Sequence, residues 1–368
     1  MKYFWTGITF IIYCTQASYA LSLTRGPYIQ KLSHDSVTIV WETDVSATSK
    51  VKYKKDSDWT NKKEYDLVTH HAISLSGLTD DQDYTYKVHS DDVVLSSAEQ
   101  FHTAPRSSTT RKIKFAVLGD SGVGSTDQSQ VSDQLVEWEP EFVVHVGDVV
   151  YPAGANEDYD NNFFTPYQAW LKQLAFFPSI GNHDYVTVAD YLQVFHLPKS
   201  DSNTENYYSF NYGYAHFIAL NTNEDFAANS PQQNWLVEDL SNNNKTWTIV
   251  FFHHSPFSSS SHGENQDVQD FLIPLFERYE VDVVFTGHDH TYERIKRMNI
   301  YGENNHKVLY IVTGGGGASL YPLVVENDYT KVFLSEHHFV GVSLQPESLK
   351  IKMISKDGMK LDSYTIEK

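Results

Sequence analysis

The stretch FVVHVGDVVY (142–151) joins a short apolar run to a polar cluster. Residues 142–146 have the length and composition of a buried strand, which breaks at Gly147. Asp148 follows this glycine, and Tyr151 comes three residues later. Ligands of open α/β sheets bind just beyond the carboxyl ends of the strands. Because Asp after Gly is more often an ordinary turn, the pattern is informative only if other runs repeat it.

Four other apolar runs end in clusters of the same kind, rich in Asp, Asn or His. Between the first of these runs and the one at 142, the spacing of Val131, Leu135, Val136 and Trp138 predicts a helix. This β-turn-α-β order favours strands that run in one direction, which would bring all five clusters to one edge of a sheet. The clusters are GDSG (119–122), GNHD (181–184), HHSP (253–256) and GHDH (287–290), after the runs 113–118, 177–180, 247–252 and 281–286.

The side chains in these clusters are carboxylates, imidazoles, an amide and a phenol, which suit divalent or trivalent metal ions of intermediate hardness. They are more numerous than one tetrahedral ion requires, and they include no thiolate. Two ions about 3.5–4 Å apart, bridged by a carboxylate, form the two-metal arrangement of many hydrolases. Such a pair lowers the pKa of a bound water, holds phosphoryl oxygens and stabilises the leaving oxygen.

The ordered motifs GDSG, GDVVY (147–151), GNHD, VFFH (250–253) and GHDH resemble those of the calcineurin-like metallophosphoesterase superfamily. Tyr151 and the continuation TYER (291–294) make the chain similar to the purple acid phosphatases, over nearly all of the sequence after residue 20. The resemblance implies an α/β metallophosphoesterase domain with two mixed β-sheets flanked by helices. It also implies an exported acid phosphatase that hydrolyses phosphomonoesters through a metal-bound hydroxide.

The resemblance implies a ligand set by position. Asp148 would bridge the two ions, with the anionic ligands on the harder, more highly charged one. His253 fits the family pattern Val-x-x-His, whereas His254 fits His-x-Pro; we assign His253 and leave His254 as the alternative. The ferric ligands would be Asp120, Tyr151 and His290, and those of the divalent ion (Fe2+, Zn2+ or Mn2+) would be Asn182, His253 and His288.

His183 and His262 are the candidate catalytic residues. His183 directly follows Asn182, and His262 lies nine residues after His253, where the family places a phosphate-contacting histidine. A protonated imidazole can both attract phosphate and protonate the leaving alkoxide. Asp184 departs from the plant enzymes, which usually carry Glu, and no change in chemistry is expected from it. The other histidines, among them His145, His216, His337 and His338, are interpreted as structural or surface groups.

Residues 1–20 read as a secretory signal peptide, with Lys2 in a basic segment, an apolar core and cleavage expected after Ala20. The segment is too short for a transmembrane helix. Cleavage would also remove Cys14, the single cysteine of the chain, so the mature protein would form no disulfide. We therefore expect a secreted or periplasmic protein without a membrane anchor.

Residues 21–105 predict a separate all-β sandwich. Residues 36–41 alternate as a half-buried strand, and 51–53 and 84–88 suggest two more. The piece LSGLTDDQDYTYKV (75–88) resembles the tyrosine-corner region of fibronectin type III domains. We interpret this part as a packing or lid domain, joined by a linker at 106–111 to a catalytic domain at 112–368.

Three segments outside the five clusters also carry a local signal. The GGGG run (314–317) is interpreted as a close-packed turn near the site, since no helix that could complete a phosphate loop is evident after it. Lys356-Asp357-Gly358 lies between alternating runs and predicts a hairpin at the edge of a sheet. The apolar stripe at 268–279 predicts a core helix.

The net charge of −19 argues against a nucleic-acid partner, which needs a basic surface. The expected partners are small-molecule phosphate esters, and the sequence leaves the oligomeric state open. Two alternatives stay open beside the phosphomonoesterase: a phosphodiesterase or nucleotide pyrophosphatase with the same metals, and an inactive binding or adhesion protein on the same fold. Comparing hydrolysis rates for monoesters and diesters distinguishes the first alternative from a phosphomonoesterase. Metal analysis distinguishes the second, because a binding protein need not hold two ions.

Overall fold

The computed structural model describes residue 1, residues 21–200 and residues 203–368. The predicted signal peptide, its cleavage after Ala20 and Cys14 lie outside the described residues. In the described ranges, every helix is too short or too polar to cross a membrane.

Strands make up most of the regular structure. The strands are β1 (Leu23–Gln30), β2 (Ser36–Lys54), β3 (Thr60–Ser76), β4 (Asp83–Ser90), β5 (Val93–Val94), β6 (Glu99–His102), β7 (Ile113–Leu118), β8 (Phe142–His145), β9 (Ala175–Pro178), β10 (Tyr208–Tyr212), β11 (Ala215–Ala219), β12 (Trp247–His254), β13 (Val283–Gly287), β14 (Tyr292–Ile295), β15 (Leu309–Thr313), β16 (Thr330–Leu334), β17 (His338–Gln345), β18 (Ser348–Ser355) and β19 (Lys360–Glu367).

Helices follow four of the five strands that lead to the polar clusters, and β13 is followed by β14. Between α2 and α3 the chain continues in a wider π-helical turn at Asp160–Phe164. The helices are α1 (Thr126–Trp138), α2 (Asn156–Tyr159), α3 (Thr165–Tyr167), α4 (Asn182–Tyr185), α5 (Val188–Val194), α6 (Pro231–Asn242), α7 (Gln266–Phe271) and α8 (Ile273–Arg278).

Strands β1 to β6 form an antiparallel amino-terminal sheet around the long strand β2. The first half of β2 pairs with β1 and its second half pairs with β4. Strand β3 pairs with both halves of β2, with register shifts between Glu42 and Ser49. The separate strands expected at 36–41 and 51–53 are therefore one strand, and residues 37–41 are buried on both faces rather than on one. The hydroxyl of Tyr84 accepts a hydrogen bond from the Thr79 N–H (2.9 Å), as in a tyrosine corner.

The rest of the chain forms two mixed sheets, which confirms the expected fold class. The first has the order β19-β18-β17-β7-β8-β9, and the second has the order β10-β11-β12-β13-β15-β14-β16. Strands β7, β8 and β9 are parallel to one another, as are β11, β12, β13 and β15. The five clusters thus come from two sheets, and the expectation of a single sheet edge was wrong.

The two sheets pack face to face, and the clusters meet where their carboxyl ends converge. The ring of Phe142 on β8 lies 5.3 Å from that of Phe217 on β11, edge to face. Along β12, Ile249 and Phe251 point into this shared core, whereas the intervening residues point under α6, α7 and α8. Because successive side chains of a strand point to opposite faces, one face of β12 packs between the two sheets and the other packs against the helices.

The structure also shows a helix, a hairpin and a buried histidine that the sequence predicted. The helix expected at 268–279 is split into α7 and α8, because Pro274 lacks the N–H that would continue the first helix. The hairpin around residue 357 is confirmed as β18 and β19, with β19 at the sheet edge. His216 is buried with its ring nitrogens bonded to Asn211 and Asp239, as expected for a structural histidine.

The amino-terminal sheet contacts the remainder through buried polar groups as well as apolar ones. Arg25 donates to Asp160 (2.8 Å) and to the side chain of Asn156 (2.9 Å). The hydroxyl of Tyr28 donates to the carbonyl of Val194 (2.7 Å). Residues of the amino-terminal sheet and of both later sheets belong to one continuous apolar cluster. Both polar and apolar contacts therefore join the amino-terminal sheet to the rest of the chain.

Candidate metal centre

Three residues at strand ends adopt backbone angles that are unusual for residues other than glycine. The angle φ is +55° at Asp120, +53° at Asp148 and +69° at His288. Each follows a glycine that ends or leaves a strand. Left-handed residues of this kind are strained and concentrate at functional sites. The backbone therefore turns sharply at three of the five clusters and presents these side chains beyond the sheets.

Glycines allow the clusters to approach one another closely. Gly147 has a φ of +95°, and a Cβ there would lie 2.7 Å from Nδ1 of His253. A Cβ at Gly181 would overlap the backbone and carboxylate of Asp148. Any other residue at either position would push apart the loops that carry the site.

Asp120, Tyr151 and His290 form one group of converging side chains. The Tyr151 hydroxyl lies 3.0 Å from Nε2 of His290 and 3.4 Å from Oδ1 of Asp120. Nε2 of His290 lies 3.6 Å from the same Asp120 oxygen. Nδ1 of His290 faces the carbonyl of Ser319 at 2.7 Å, and a proton held there leaves the Nε2 lone pair directed at the group.

Asn182, His253 and His288 form a second group beside the first. Nε2 of His253 lies 2.9 Å from Oδ1 of Asn182 and 3.2 Å from Nδ1 of His288. Nδ1 of His253 faces the carbonyl of Val146 at 3.0 Å, which again directs the Nε2 lone pair into the group. An amide oxygen and two imidazole nitrogens are thus directed at one point.

Asp148 lies between the two groups. Its Oδ2 accepts from the Tyr151 hydroxyl at 3.0 Å and lies 3.4 Å from Nε2 of His253. Ligand atoms of Asp120, Asp148 and His253, all buried, lie within 4.8 Å of one another. The structure therefore brings together all seven side chains predicted as ligands, in the grouping that the resemblance implies. Their role as ligands stays a prediction.

The electrostatics of the cluster favour a cation. Burial raises the pKa of the Asp120 carboxyl and of the Tyr151 phenol, so their anionic forms need a compensating positive charge. Burial alone would lower the pKa of His253, but Asp148 and Asp120 raise it to about 9. A metal ion can take the place of that proton, since metal binding releases protons from its ligands. The donor set and its charge therefore fit metal ions.

The structure distinguishes between His253 and His254. His253 is fully buried inside the second group, whereas Nδ1 of His254 bonds to the Thr222 hydroxyl at 2.8 Å. The ring of His254 nevertheless lies 4.6 Å from that of His288. This geometry favours His253 as a ligand and places His254 beside the site, where the sequence assigned it no separate role.

The two candidate catalytic histidines lie at opposite sides of the ligand cluster. Nε2 of His183 is 3.9 Å from Oδ2 of Asp148, and its ring is 4.4 Å from that of Tyr151. The ring of His262 stacks on His288 with centroids 3.8 Å apart. Both therefore adjoin the cluster, His183 beside the shared carboxylate and His262 against the second group.

Two residues support the site in ways that the sequence did not indicate. Asp184 accepts from the N–H groups of Gly181, Val149 and Val150 at 2.9–3.1 Å, which ties two of the clusters together. Burial and Asp148 raise its pKa to about 7. The ring of Tyr321 stacks on His290 with centroids 4.2 Å apart, a contact that no local motif could indicate.

The GGGG run is a close-packed turn beside the site, as expected. The N–H of Gly316 donates to the carbonyl of Gly119 (2.9 Å), and Ala318 donates to that of Asp120 (2.9 Å). A Cβ at Gly314 would lie 2.7 Å from the Asp120 carboxylate. Within the described residues, no helix follows the turn before β16, so the turn supports the Asp120 loop and is not part of a phosphate loop.

Comparison with protein families identifies residues 113–292 as a calcineurin-like phosphoesterase domain. The chain is 30% identical to purple acid phosphatase 23 of Arabidopsis thaliana over 288 residues, which cover 68% of this chain and 62% of that protein. It is 27% identical to the Fe(3+)-Zn(2+) purple acid phosphatase 12 of Arabidopsis thaliana, over 77% of this chain and 70% of that one. The chain thus spans about two thirds of the length of these relatives.

Solved structures show the same fold. The purple acid phosphatase from yellow lupin (Lupinus luteus) seeds superposes with a TM-score of 0.82, at 18% identity, over 93% of this chain and 74% of that one. The structure of PhoD gives a TM-score of 0.70, at 14% identity, over 92% of this chain and 88% of that one. The solved structures agree in fold alone, whereas the domain match and the sequence relatives give the relationship: residues 113–292 form a calcineurin-like phosphoesterase domain, and the homologues of this chain are purple acid phosphatases.

Proposed function

We propose that the protein is a binuclear metal-dependent acid phosphatase that hydrolyses phosphomonoesters. The observation that carries the proposal is the convergence of Asp120, Asp148 and His253 within 4.8 Å, at the ends of strands from two sheets. When bound, two metal ions would activate a water and hold the phosphoryl oxygens.

The proposed ligands follow the two groups of side chains. Asp120, Tyr151 and His290 would hold Fe3+, because a phenolate and a carboxylate suit a hard, highly charged ion. The neutral donors of the second group, Asn182, His253 and His288, would hold Fe2+, Zn2+ or Mn2+. Asp148 would contact both ions, in keeping with the position of its Oδ2 between the groups.

His183 and His262 would act on the substrate directly. His183 holds its Nδ1 against the carbonyl of Pro152 (2.5 Å), which fixes the ring with Nε2 toward the site. His262 is held by its backbone N–H, which donates to Asp289 (2.9 Å). We assign to these imidazoles the binding of phosphate oxygens and the protonation of the leaving alkoxide.

We further propose that the chain is exported and that its domains divide near residues 105 and 112. The support for export is the composition of residues 1–20. The support for the division is the change from β1–β6 to the two later sheets. The site residues belong to elements after residue 112, so the amino-terminal sheet would stabilise the catalytic part and contribute no ligand.

The test is a comparison of hydrolysis rates for phosphomonoesters and phosphodiesters by the full mature chain loaded with iron and zinc. Monoester hydrolysis should exceed diester hydrolysis, and prolonged treatment with a chelator should abolish it until metal is restored. Faster diester hydrolysis would instead identify a phosphodiesterase. Metal-independent monoester hydrolysis, or two bound ions without any hydrolysis, would contradict the proposal.

A further inference from the structure

A short uncharged segment, residues 318–325, borders the metal centre and ends in three exposed aliphatic side chains. The exposed fraction is 45% for Leu323, 59% for Val324 and 53% for Val325. We name these three residues the apolar lip. Single exposed apolar residues are ordinary, whereas a contiguous group beside a polar site is a candidate binding surface.

The apolar lip is continuous with the ligand cluster. The N–H of Tyr321 donates to the carbonyl of His290 (3.0 Å), and its ring stacks on the His290 ring at 4.2 Å. The same ring lies 5.5 Å from that of His262. Leu323 follows two residues later, so its Cα lies within about 7 Å of that of Tyr321. A group attached to a phosphate held at the cluster can therefore reach the lip.

Hydrogen bonds hold the backbone of the lip in place. The carbonyl of Ser259 accepts from the N–H groups of Val324 (2.9 Å) and Val325 (3.1 Å). The hydroxyl of Ser260 donates to the carbonyl of Pro322 (3.0 Å). Because these backbone groups are satisfied, the exposed side chains sit on a fixed segment. A preorganised surface binds a ligand with little loss of conformational entropy.

We propose that the apolar lip binds the leaving group of the substrate and selects phosphomonoesters of apolar alcohols. This inference rests on the proposed phosphatase function. In hydrolysis the P–O bond to the alcohol breaks, the oxygen of water bonds to phosphorus, and the alcohol leaves with a proton. A carbon chain of about six atoms fits three side chains, whereas a stable protein interface needs about 800 Å² on each partner.

The experiment compares ethyl phosphate with hexyl phosphate, because their leaving alkoxides have similar basicity and differ by four methylene groups. The full chain with its metals should show a KM about fifteenfold lower for hexyl phosphate, with a similar kcat, since each of the four half-buried methylenes contributes roughly a factor of two. The double variant Leu323→Ser/Val325→Ser should reduce this KM ratio to below about threefold.

The matched control is Val93→Ser/Val94→Ser, which changes two valines of similar exposure (45% and 56%) in the amino-terminal sheet. It should leave the hexyl-to-ethyl ratio unchanged. Binding of ethylphosphonate and hexylphosphonate, measured by calorimetry, gives the same comparison without turnover. Equal affinity for both phosphonates, or full discrimination in the lip variant, would overturn the inference while phosphatase activity stands. Absence of hydrolysis of both phosphate esters by the metal-loaded chain would overturn both proposals.

Discussion

Tyr151 belongs to the first group of the site and contacts Asp148, the carboxylate that lies between the two groups. Its hydroxyl lies 3.0 Å from Asp148 and 3.0 Å from His290. A phenol normally titrates near 10, and burial raises the pKa of Tyr151 further, so it would be a poor ligand for most divalent ions at neutral pH. A trivalent iron would stabilise the phenolate by its higher charge.

The replacement Tyr151→Phe should therefore remove the visible absorption band that a phenolate gives when bound to iron. The fold should be kept, because phenylalanine preserves the ring, and some hydrolysis should remain since the phenol does not attack phosphate. Absorption spectra of the iron-loaded chain and the variant check this. A band that survives in Tyr151→Phe, or its absence in the parent chain, would show that Tyr151 is not an iron ligand.

Individual site residues were predictable because each one follows a glycine or a strand within a short motif. Asp120, Asp148 and His288 needed only local sequence, together with the rule that sites lie beyond strand ends. The contact of Tyr321 with His290 was not predictable, since the two residues are distant in sequence and their stacking depends on the path of the chain between them. His254 was ambiguous because two neighbouring imidazoles fit two motifs.

The turn from Gly181 into α4 joins two of the polar clusters through one carboxylate. Asp184 accepts three backbone N–H groups, one from its own turn and two from the turn after β8. The sequence analysis gave this residue no consequence, because it is neither a ligand nor a candidate acid. Its role became visible only when the two turns were seen side by side.

The replacement Asp184→Ala should lower the free energy of unfolding by about 2–3 kcal/mol, because it leaves buried N–H groups without an acceptor. Asp184→Asn is the matched variant: its amide oxygen can accept part of these bonds, so its loss should be smaller. Urea denaturation of both variants measures the difference. Equal stability of Asp184→Ala and the parent chain would mean that these hydrogen bonds do not hold the turns together.

The order of strands was easier to predict than their assembly into sheets. The runs at 113–118 and 142–146 became β7 and β8 nearly as expected, because a buried strand has a continuous apolar sequence. Sequence periodicity does not indicate which strands pair, so the division of five clusters between two sheets was missed. The break between α7 and α8 could have been foreseen from Pro274.

We expect the amino-terminal sheet and the catalytic part to unfold as one unit, because buried side chains join them. Arg25 is the central polar contact: it donates to Asp160 and Asn156 across the boundary and lies 4.8 Å above the ring of Phe164. Its side chain is buried, so removal would leave polar partners without a donor.

The replacement Arg25→Ala should reduce the free energy of unfolding by about 2 kcal/mol. Arg106→Ala, which removes an exposed ion pair with Asp80, is the control and should change stability little. Fluorescence and circular dichroism should follow a single urea transition in the parent chain. Two separated transitions there, or equal effects of the two replacements, would contradict a tight association of the two parts.

At the scale of the whole molecule, we propose that Asp148 joins two metal ions in one hydrolytic centre. The most direct measurement is the metal content and monoester turnover of the purified chain beside Asp148→Ala, with Asp133→Ala, an exposed carboxylate change on α1, as the control. The parent chain and the control should hold two ions each, and Asp148→Ala should lose most of its metal and essentially all hydrolysis. An Asp148→Ala protein with two bound ions and near-native turnover would contradict the account.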